Sequence, residues 1–387
     1  MIATSKMLIN ESVSMTKLLH TADWQIGRLY GTFDPDDAVP LAEARFAAVE
    51  RLAKLATDEK VDAVLVSGDV FDAQTVTART IRRLFNAMAG YAGPWVMIPG
   101  NHDAALTESV WSHAQRLDAL PTNLHLALEP KVIELPEQRL ALLCAPLTQR
   151  HTYGDLTDWF DGCETPPGWL RIGLAHGSVQ GILAEDIDST NPIAPDRALS
   201  ARLDYLALGD WHGTKSIDAH TWYSGTPEPD RFKGNDSGQV LLVEIDGCGA
   251  LPRVSPHRTA QHRWQQQTHR MDVASDVDGV LAALEQTETG DVLELTVTGQ
   301  VDLHGYRRLR AALGTAEARV RCLRTDLSEL LLAPTAEDIA TLKADGYLGE
   351  VIVELRDVTG EDARRAQDAL GILTGLLSEL NPTEVTA

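Results

Sequence analysis

The sequence predicts an α/β fold, and two observations predict it. Five short apolar runs rich in Leu, Val and Ile end abruptly in polar, metal-competent side chains: LLHTAD at Asp23, AVLVSGD at Asp69, WVMIPGNH at Asn101 and His102, IGLAH at His176, and YLALGDWH at Asp210 and His212. In the first half these runs alternate with amphipathic stretches at helical period. A strand buried on both faces reads as a continuous hydrophobic run, and open α/β sheets collect their ligand sites beyond the carboxyl ends of such strands.

Taken in order, LLHT forms the first strand, and VPLAEARFAAVERLAKLATDEK predicts a helix over 39–60 that delivers the chain to AVLVS. TARTIRRLFNAMAGY repeats the design over 77–91 and leads into WVMI, so these are βαβ units. Shorter strands follow at 131–135, 139–144, 204–208, 221–224 and 239–245, consistent with a second sheet packed on the first. After Gly249 the texture changes. The polar run PHRTAQHRWQQQTHR reads as an extended strand or linker, VDGVLAALEQ and GYRRLRAALG as helices, and DVLELTVTGQ and ARVRCLRTDL as strands, which together predict a small α+β module over 251–334. Residues 335–387 read as a helical segment, in which ARRAQDALGILTGLLSEL carries leucines at helical spacing. Residues 1–14 read as a disordered extension ahead of a domain spanning 15–250.

Asp, Asn and His in one crevice offer oxygen and imidazole ligands, which suit manganese or magnesium. A pair of divalent ions about 3.5–4 Å apart activates water and stabilises in-line displacement at phosphorus. Two ions need a shared carboxylate, and Asp69, after the most apolar of the early strands, is the candidate bridge. A single Asp or Asn after a strand is usually a turn former or a helix cap, but five polar strand ends outweigh that reading. His20 inside the first strand reads as a hydrogen-bonded structural residue. His113, His125, His151, His220, His257, His262, His269 and His304 lack ligand spacing.

The motifs Asp23-Trp24-Gln25, Gly68-Asp69-Val70-Phe71-Asp72, Gly100-Asn101-His102-Asp103, Ala175-His176-Gly177 and Gly209-Asp210-Trp211-His212 resemble the five ordered motifs of the calcineurin-like metallophosphoesterases. HTADW, GDVFD, GNHD and the YSGTPEP run resemble in particular the SbcD-type nuclease branch, bacterial relatives of the meiotic-recombination-eleven nuclease. The likeness covers roughly residues 15 to 250. It implies a two-sheet metallophosphoesterase sandwich flanked by helices, with a small α+β capping domain on the C-terminal side. One ion would take Asp23, Gln25, Asp69 and His212, and the other Asp69, Asn101, His176 and Asp210. His102 would approach the scissile phosphate and protonate the leaving oxygen, with Asp72 orienting it. The chain departs from the family pattern at Gln25, where D-x-H is usual, and at Asp210, where G-H-x-H is usual. These changes make the donor set harder and more anionic, which favours manganese, with magnesium as the alternative.

The implied partners are DNA, an SbcC-like coiled-coil ATPase docking on the C-terminal helical segment, and a second copy of the chain in a homodimer. A formal net charge of −22 with no long basic run opposes binding of a polyanion. It keeps open a small-substrate reading, a cyclic-nucleotide or nucleotide phosphodiesterase, and a weakly active structural component of a DNA-handling complex is the third reading. Arg28, Lys215, Arg231, Lys233, Arg307, Arg308 and Arg310 are candidate local contacts to phosphate, against the plainer reading of a solvated face. Cysteines at 144, 163, 248 and 322 form no C-x-x-C pair, so a zinc ribbon or disulfide framework is not suggested, and a reducing cytoplasm is expected. No stretch approaches the ~20 apolar residues of a membrane span, and the first residues lack a signal-peptide pattern.

Overall fold

The computed structural model describes residues 15–182, 190–341 and 347–380. The expected N-terminal extension, 1–14, lies outside the described residues. The chain divides into two compact units, one of residues up to 229 with 234–261, the other of 230–233 with 262 onward.

In the first unit, β1 (Thr16–Thr21), α1 (Pro35–Asp58), β2 (Ala63–Ser67), α2 (Ala78–Ala87), β3 (Trp95–Ile98), α3 (Val110–Arg116) and β4 (Leu124–Leu126) form the predicted βαβ succession. The strands β1, β2, β3 and β4 are parallel neighbours in that order. Helix α1 begins four residues before the expected Val39, because Pro35 and the acidic pair Asp36 and Asp37 suit a first helical turn. Helix α2 is capped by Thr77, whose hydroxyl accepts the Thr80 N–H at 3.1 Å.

The second sheet is built from β5 (Lys131–Leu135), β6 (Leu140–Ala145), β7 (Leu170–His176), β10 (Tyr205–Gly209), β11 (Lys215–Ser216) and β12 (Thr221–Tyr223), in the order β11-β12-β10-β7-β6-β5. Between β7 and β10 run a small parallel pair, β8 (Ser178–Val179) with β9 (Pro192–Ile193), and the one-turn helix α4 (Arg197–Ser200). The strands β13 (Gln239–Ile245) and β14 (Arg253–Arg258) then return to the first sheet, β13 antiparallel to β1 and β14 antiparallel to β13. The first unit therefore runs on to 261, past the sequence-drawn line at 250, because β14 completes its sheet edge.

The side-chain alternation of the strands explains the continuous apolar runs. In β1, Leu19 faces α1 and α2 in a core with Val49, Leu52, Ile81 and Leu84, while Leu18 faces the second sheet with Leu142, Ile172 and Leu174. The far face of the second sheet is covered too, by Phe160, Ala198 and Leu203 against Leu143, Leu206 and Leu208. Each fully buried Leu or Val contributes about 1.5–3 kcal/mol. These two mixed sheets flanked by helices are the sandwich that the motifs imply.

The second unit holds a parallel sheet of β15 (Arg263–Met271), β16 (Asp291–Val301), β17 (Cys322–Asp326) and β18 (Leu330–Leu332), with β16 paired to each of the others. Helices α5 (Asp276–Glu285) and α6 (Leu303–Arg319) share a core with it. The polar run read as a strand or linker supplies both β14 and β15, each with a free side along its sheet, which is why it carries so few apolar residues. Helices α7 (Ala336–Thr341), α8 (Tyr347–Asp357) and α9 (Ala363–Leu380) close the described chain. Leu370 and Leu377 of α9 pack with Ile352 and Leu303 in a core of their own. No described helix is long and apolar enough to cross a membrane.

Candidate metal centre

The five strand-end motifs converge at the carboxyl ends of β1, β2, β3, β7 and β10. The turn after β1 lies along the turn after β2: Asp23 N–H donates to Gly68 O at 3.0 Å, Gln25 N–H to Asp69 O at 3.0 Å, and Ile26 N–H to Val70 O at 2.9 Å. Asp23, Gln25, Asp69 and Asp210 adopt positive φ of 54°, 49°, 52° and 99°. Non-glycine residues held in such sparsely populated conformations cost on the order of 1–3 kcal/mol each and cluster at functional sites, so four at one place marks a site whose surroundings enforce the geometry. Close approach explains two glycines. A Cβ on Gly68 would lie 2.3 Å from His176 Nδ1, and one on Gly100 2.2 Å from Asp69 Oδ1.

Ligand-capable atoms of Asp23, Asp69 and His176, all three residues buried, lie within 4.8 Å of one another. His176 Nδ1–H donates to Ser67 O at 2.8 Å, which fixes the ring and directs the Nε2 lone pair into the crevice. That Nε2 is 3.6 Å from Asp69 Oδ1 and 3.7 Å from Asp210 Oδ1. Two ligands each ~2.1 Å from one ion sit about 3.0–3.5 Å apart, so these separations are close to those of a shared cation. His176 Nε2, Gln25 Oε1 and Asn101 Oδ1 are buried without a hydrogen-bond partner. A buried polar atom left so costs about 1–3 kcal/mol, and three converging on two carboxylates are the donor set a divalent cation would satisfy.

Asp69 is at the centre. Its Oδ1 accepts His102 N–H at 2.9 Å, and its Oδ2 accepts Gln25 Nε2–H at 2.8 Å. Asp210, with 28% of its side chain exposed, donates its N–H to the Asp23 carboxylate at 3.2 and 3.3 Å. His212 is half-buried, and its ring favours the charged form of Asp23. Burial nonetheless pushes the Asp23 carboxyl up to about 6, and Asp69 and Asp210 push it the same way. Burial raises Asp210 as well. Burial lowers the basicity of His176, but Asp69, Asp210 and Asp23 together outweigh it and lift its pKa to about 9. The same crowding of carboxylates that favours a proton on this ring favours a metal cation beside it.

His102 stands at the rim, 32% exposed, with Nε2 4.0 Å from Asp69 Oδ2. Its Nδ1–H donates to the backbone carbonyl of Asp72 at 2.8 Å, while the Asp72 carboxylate pairs with Arg28 at 3.3 Å. The expected orienting contact is therefore made by the main chain of Asp72. Among the other expected phosphate contacts, Lys215 lies over the Trp211 ring, Arg231 pairs with Asp230, and Arg308 pairs with Asp278. His20 is a buried structural histidine. It bonds Tyr205 Oη at 2.9 Å and Leu208 O at 3.2 Å, with its pKa lowered to about 3 by burial.

Two supporting residues have no role in the sequence-based expectation. Asp103, fully buried, accepts Gly100 N–H at 2.7 Å, Val70 N–H at 3.0 Å and Phe71 N–H at 3.2 Å, so one carboxylate ties the GDVFD turn to the GNHD turn. Burial first and then Asp69 raise it to about 7. Arg45 donates to Trp24 O at 2.7 Å and to Tyr30 Oη at 2.8 Å, anchoring the first motif from inside α1. The signals in the sequence are an acid directly following GNH, and an arginine on the apolar stripe of an amphipathic helix.

The sequence signature of calcineurin-like phosphoesterases matches residues 16–238, more than half of the chain and all five motifs. The chain belongs to this family. As a metallophosphoesterase it is a hydrolase acting on phosphodiester bonds, with divalent metal at the site described. Similar proteins include the SbcD component of the SbcCD nuclease of Rhodobacter capsulatus, 40% identical over 296 residues, 62% of this chain and 69% of that protein. The DNA double-strand break repair protein Mre11 of Aeropyrum pernix is 27% identical over 269 residues, 64% of this chain and 63% of that protein. The corresponding SbcD component of the SbcCD nuclease of Bacillus subtilis is 27% identical over 347 residues, covering 76% of this chain and 83% of that protein.

Proposed function

We propose that this metallophosphoesterase is a DNA repair nuclease, the nuclease component of an SbcCD-like complex, that hydrolyses phosphodiester bonds at a pair of divalent cations. The observation that carries the reading is the convergence of unpartnered Gln25 Oε1, Asn101 Oδ1 and His176 Nε2 on Asp69. Asp23, Gln25, Asp69 and His212 would hold one cation, and Asp69, Asn101, His176 and Asp210 the other. The cations, manganese by the hardness of this donor set, would lower the pKa of an attacking water and neutralise phosphate charge. Asp69 bridges them. His102, its Nδ1–H committed to Asp72 O, turns Nε2 toward the crevice and in its protonated form donates to the leaving oxygen. Similarity to SbcD components of SbcCD nucleases supports DNA as substrate and a coiled-coil ATPase as partner. The second unit would be the capping domain and α9 the docking helix. A homodimer and a cytoplasmic setting complete the reading.

The net charge of −22 favours a second reading, hydrolysis of small nucleotide diesters. One panel separates the two: purified protein with manganese, given single-stranded DNA, duplex ends, hairpins, a cyclic nucleotide and a chromogenic phosphodiester. Manganese-dependent cleavage of DNA is the expected result. Turnover confined to the small diesters would overturn the nuclease reading.

A further inference from the structure

We propose that Tyr153 is a stacking platform for an unpaired nucleobase, held in a fixed position beside the metal crevice. The inference rests on the nuclease reading and adds how the substrate's bases are gripped. Tyr153 is 92% exposed, and the loop that displays it is clamped to the metal motif. The clamp is Asn191, only 4% exposed, with φ of 63°. Its Oδ1 accepts Thr152 N–H at 2.8 Å and the Thr152 hydroxyl at 3.0 Å, and its Nδ2–H donates to Arg150 O at 3.3 Å. Its own N–H donates to Thr152 O at 2.9 Å, and its carbonyl accepts Ser178 N–H at 3.0 Å. Gly177, directly after His176, lies so close that a Cβ there would meet Asn191 O at 2.1 Å. Thr152, Asn191 and His176 line one small cavity. One buried amide thus joins the 150–152 backbone to the turn that follows His176.

The displayed face has the chemistry of a single-strand contact. Arg150 and His151, both exposed, flank the tyrosine. The neighbouring acid is turned away: Asp155 accepts Thr157 N–H at 2.7 Å and Ala194 N–H at 2.8 Å, and pairs with Arg197 at 2.9 Å. An aromatic ring beside a guanidinium offers a base a π-face and a phosphate a cation, which is the pairing used by sequence-tolerant single-strand binders. Bases inside a duplex have both faces stacked, so the ligand is an unpaired nucleotide, in a single strand, a frayed end or a hairpin loop. Pre-ordering by Asn191 removes part of the ordering cost of binding.

The test uses the full chain with manganese and compares Tyr153→Ala, Tyr153→Phe and Tyr153→Trp on a single-stranded oligodeoxynucleotide and on a chromogenic phosphodiester. In Tyr153→Ala, KM for the oligonucleotide should rise about 5–100-fold with kcat near the parent value, and the oligonucleotide-to-diester ratio of kcat/KM should fall by the same factor. The Phe and Trp variants should keep the parent ratio. An unmoved ratio in Tyr153→Ala, or a fall in Phe and Trp as large as in Ala, would overturn the stacking role. Loss of both substrates together would assign the residue to loop structure instead. A parent that turns over the diester but not the oligonucleotide would remove the nuclease reading, and the platform with it.

Discussion

His102 and Gln25 carry the sharpest consequences of the site's geometry. His102 touches Asp69 only through its backbone N–H and directs its ring outward, so His102→Ala should reduce turnover by ~10²–10⁴-fold while metal content, measured by elemental analysis, stays close to the parent. Loss of one ion along with activity would make it a ligand. Because the main-chain carbonyl of Asp72 holds the ring, Asp72→Ala should cost far less than His102→Ala, through the lost pairing with Arg28 alone. A loss equal to that of His102→Ala would show that the Asp72 carboxylate acts in the chemistry. Gln25 offers an amide oxygen where the family pattern has an imidazole, and its amide nitrogen is committed to Asp69. Gln25→His should tighten the first cation and lower the manganese concentration for half-saturation by roughly 10-fold, since an imidazole is the better donor. Equal half-saturation in the parent, Gln25→His and Gln25→Ala would show that position 25 is not a ligand. Asp103→Ala would strand three buried N–H groups and should lower stability by about 1–3 kcal/mol or more, read as a melting shift.

At the scale of elements, what is legible in the sequence is what the strands dictate. Leu18 and Leu19 face different cores, so β1 has to be apolar throughout, and the polar residue after each such run has to lie at a sheet end. That alone brings Asp23, Asp69, Asn101, His176 and Asp210 to one crevice. Contacts between turns are not legible. Asp103 acts on Val70 and Phe71 across 32–33 residues, and Arg45 on Trp24 from another element, and neither separation leaves a periodic trace. The join at 261 is hidden for a related reason, since β14 is an exposed, polar edge strand whose pairing with β13 is set by register rather than by hydrophobicity. The leucine stripe of α9 carries two readings, and the structure buries Leu370 and Leu377 against Ile352. Leu370→Ala should therefore destabilise the second unit by ~2–5 kcal/mol, seen as an earlier unfolding transition. A melting profile identical to the parent would mean that this stripe is not core. Ile372 and Leu376 are 66% and 54% exposed on the same helix and remain for a partner. Changing both to Glu should weaken capture by an SbcC-like ATPase, and undiminished capture would remove α9 as the docking helix.

At the scale of the whole molecule, an acidic chain is asked to handle a polyanion. The resolution is local: two divalent cations add four positive charges where phosphate must sit, and the ATPase supplies most of the remaining grip. The isolated chain should consequently bind duplex DNA with a shallow salt dependence, losing much less between 50 and 200 mM salt than the ~10³–10⁵-fold of a protein making six to ten phosphate contacts. A steep slope for the chain alone would reveal a basic surface with no part in this mechanism. The proposed chemistry depends throughout on Asp69 bridging two cations at the meeting of five strand ends. Manganese-dependent cleavage of single-stranded DNA by Asp69→Asn, with manganese content measured on the same samples, tests this most directly. Cleavage should be abolished and bound manganese should fall, because a neutral amide cannot hold two cations together. Full turnover with parent-like manganese content in Asp69→Asn would contradict the bridging role.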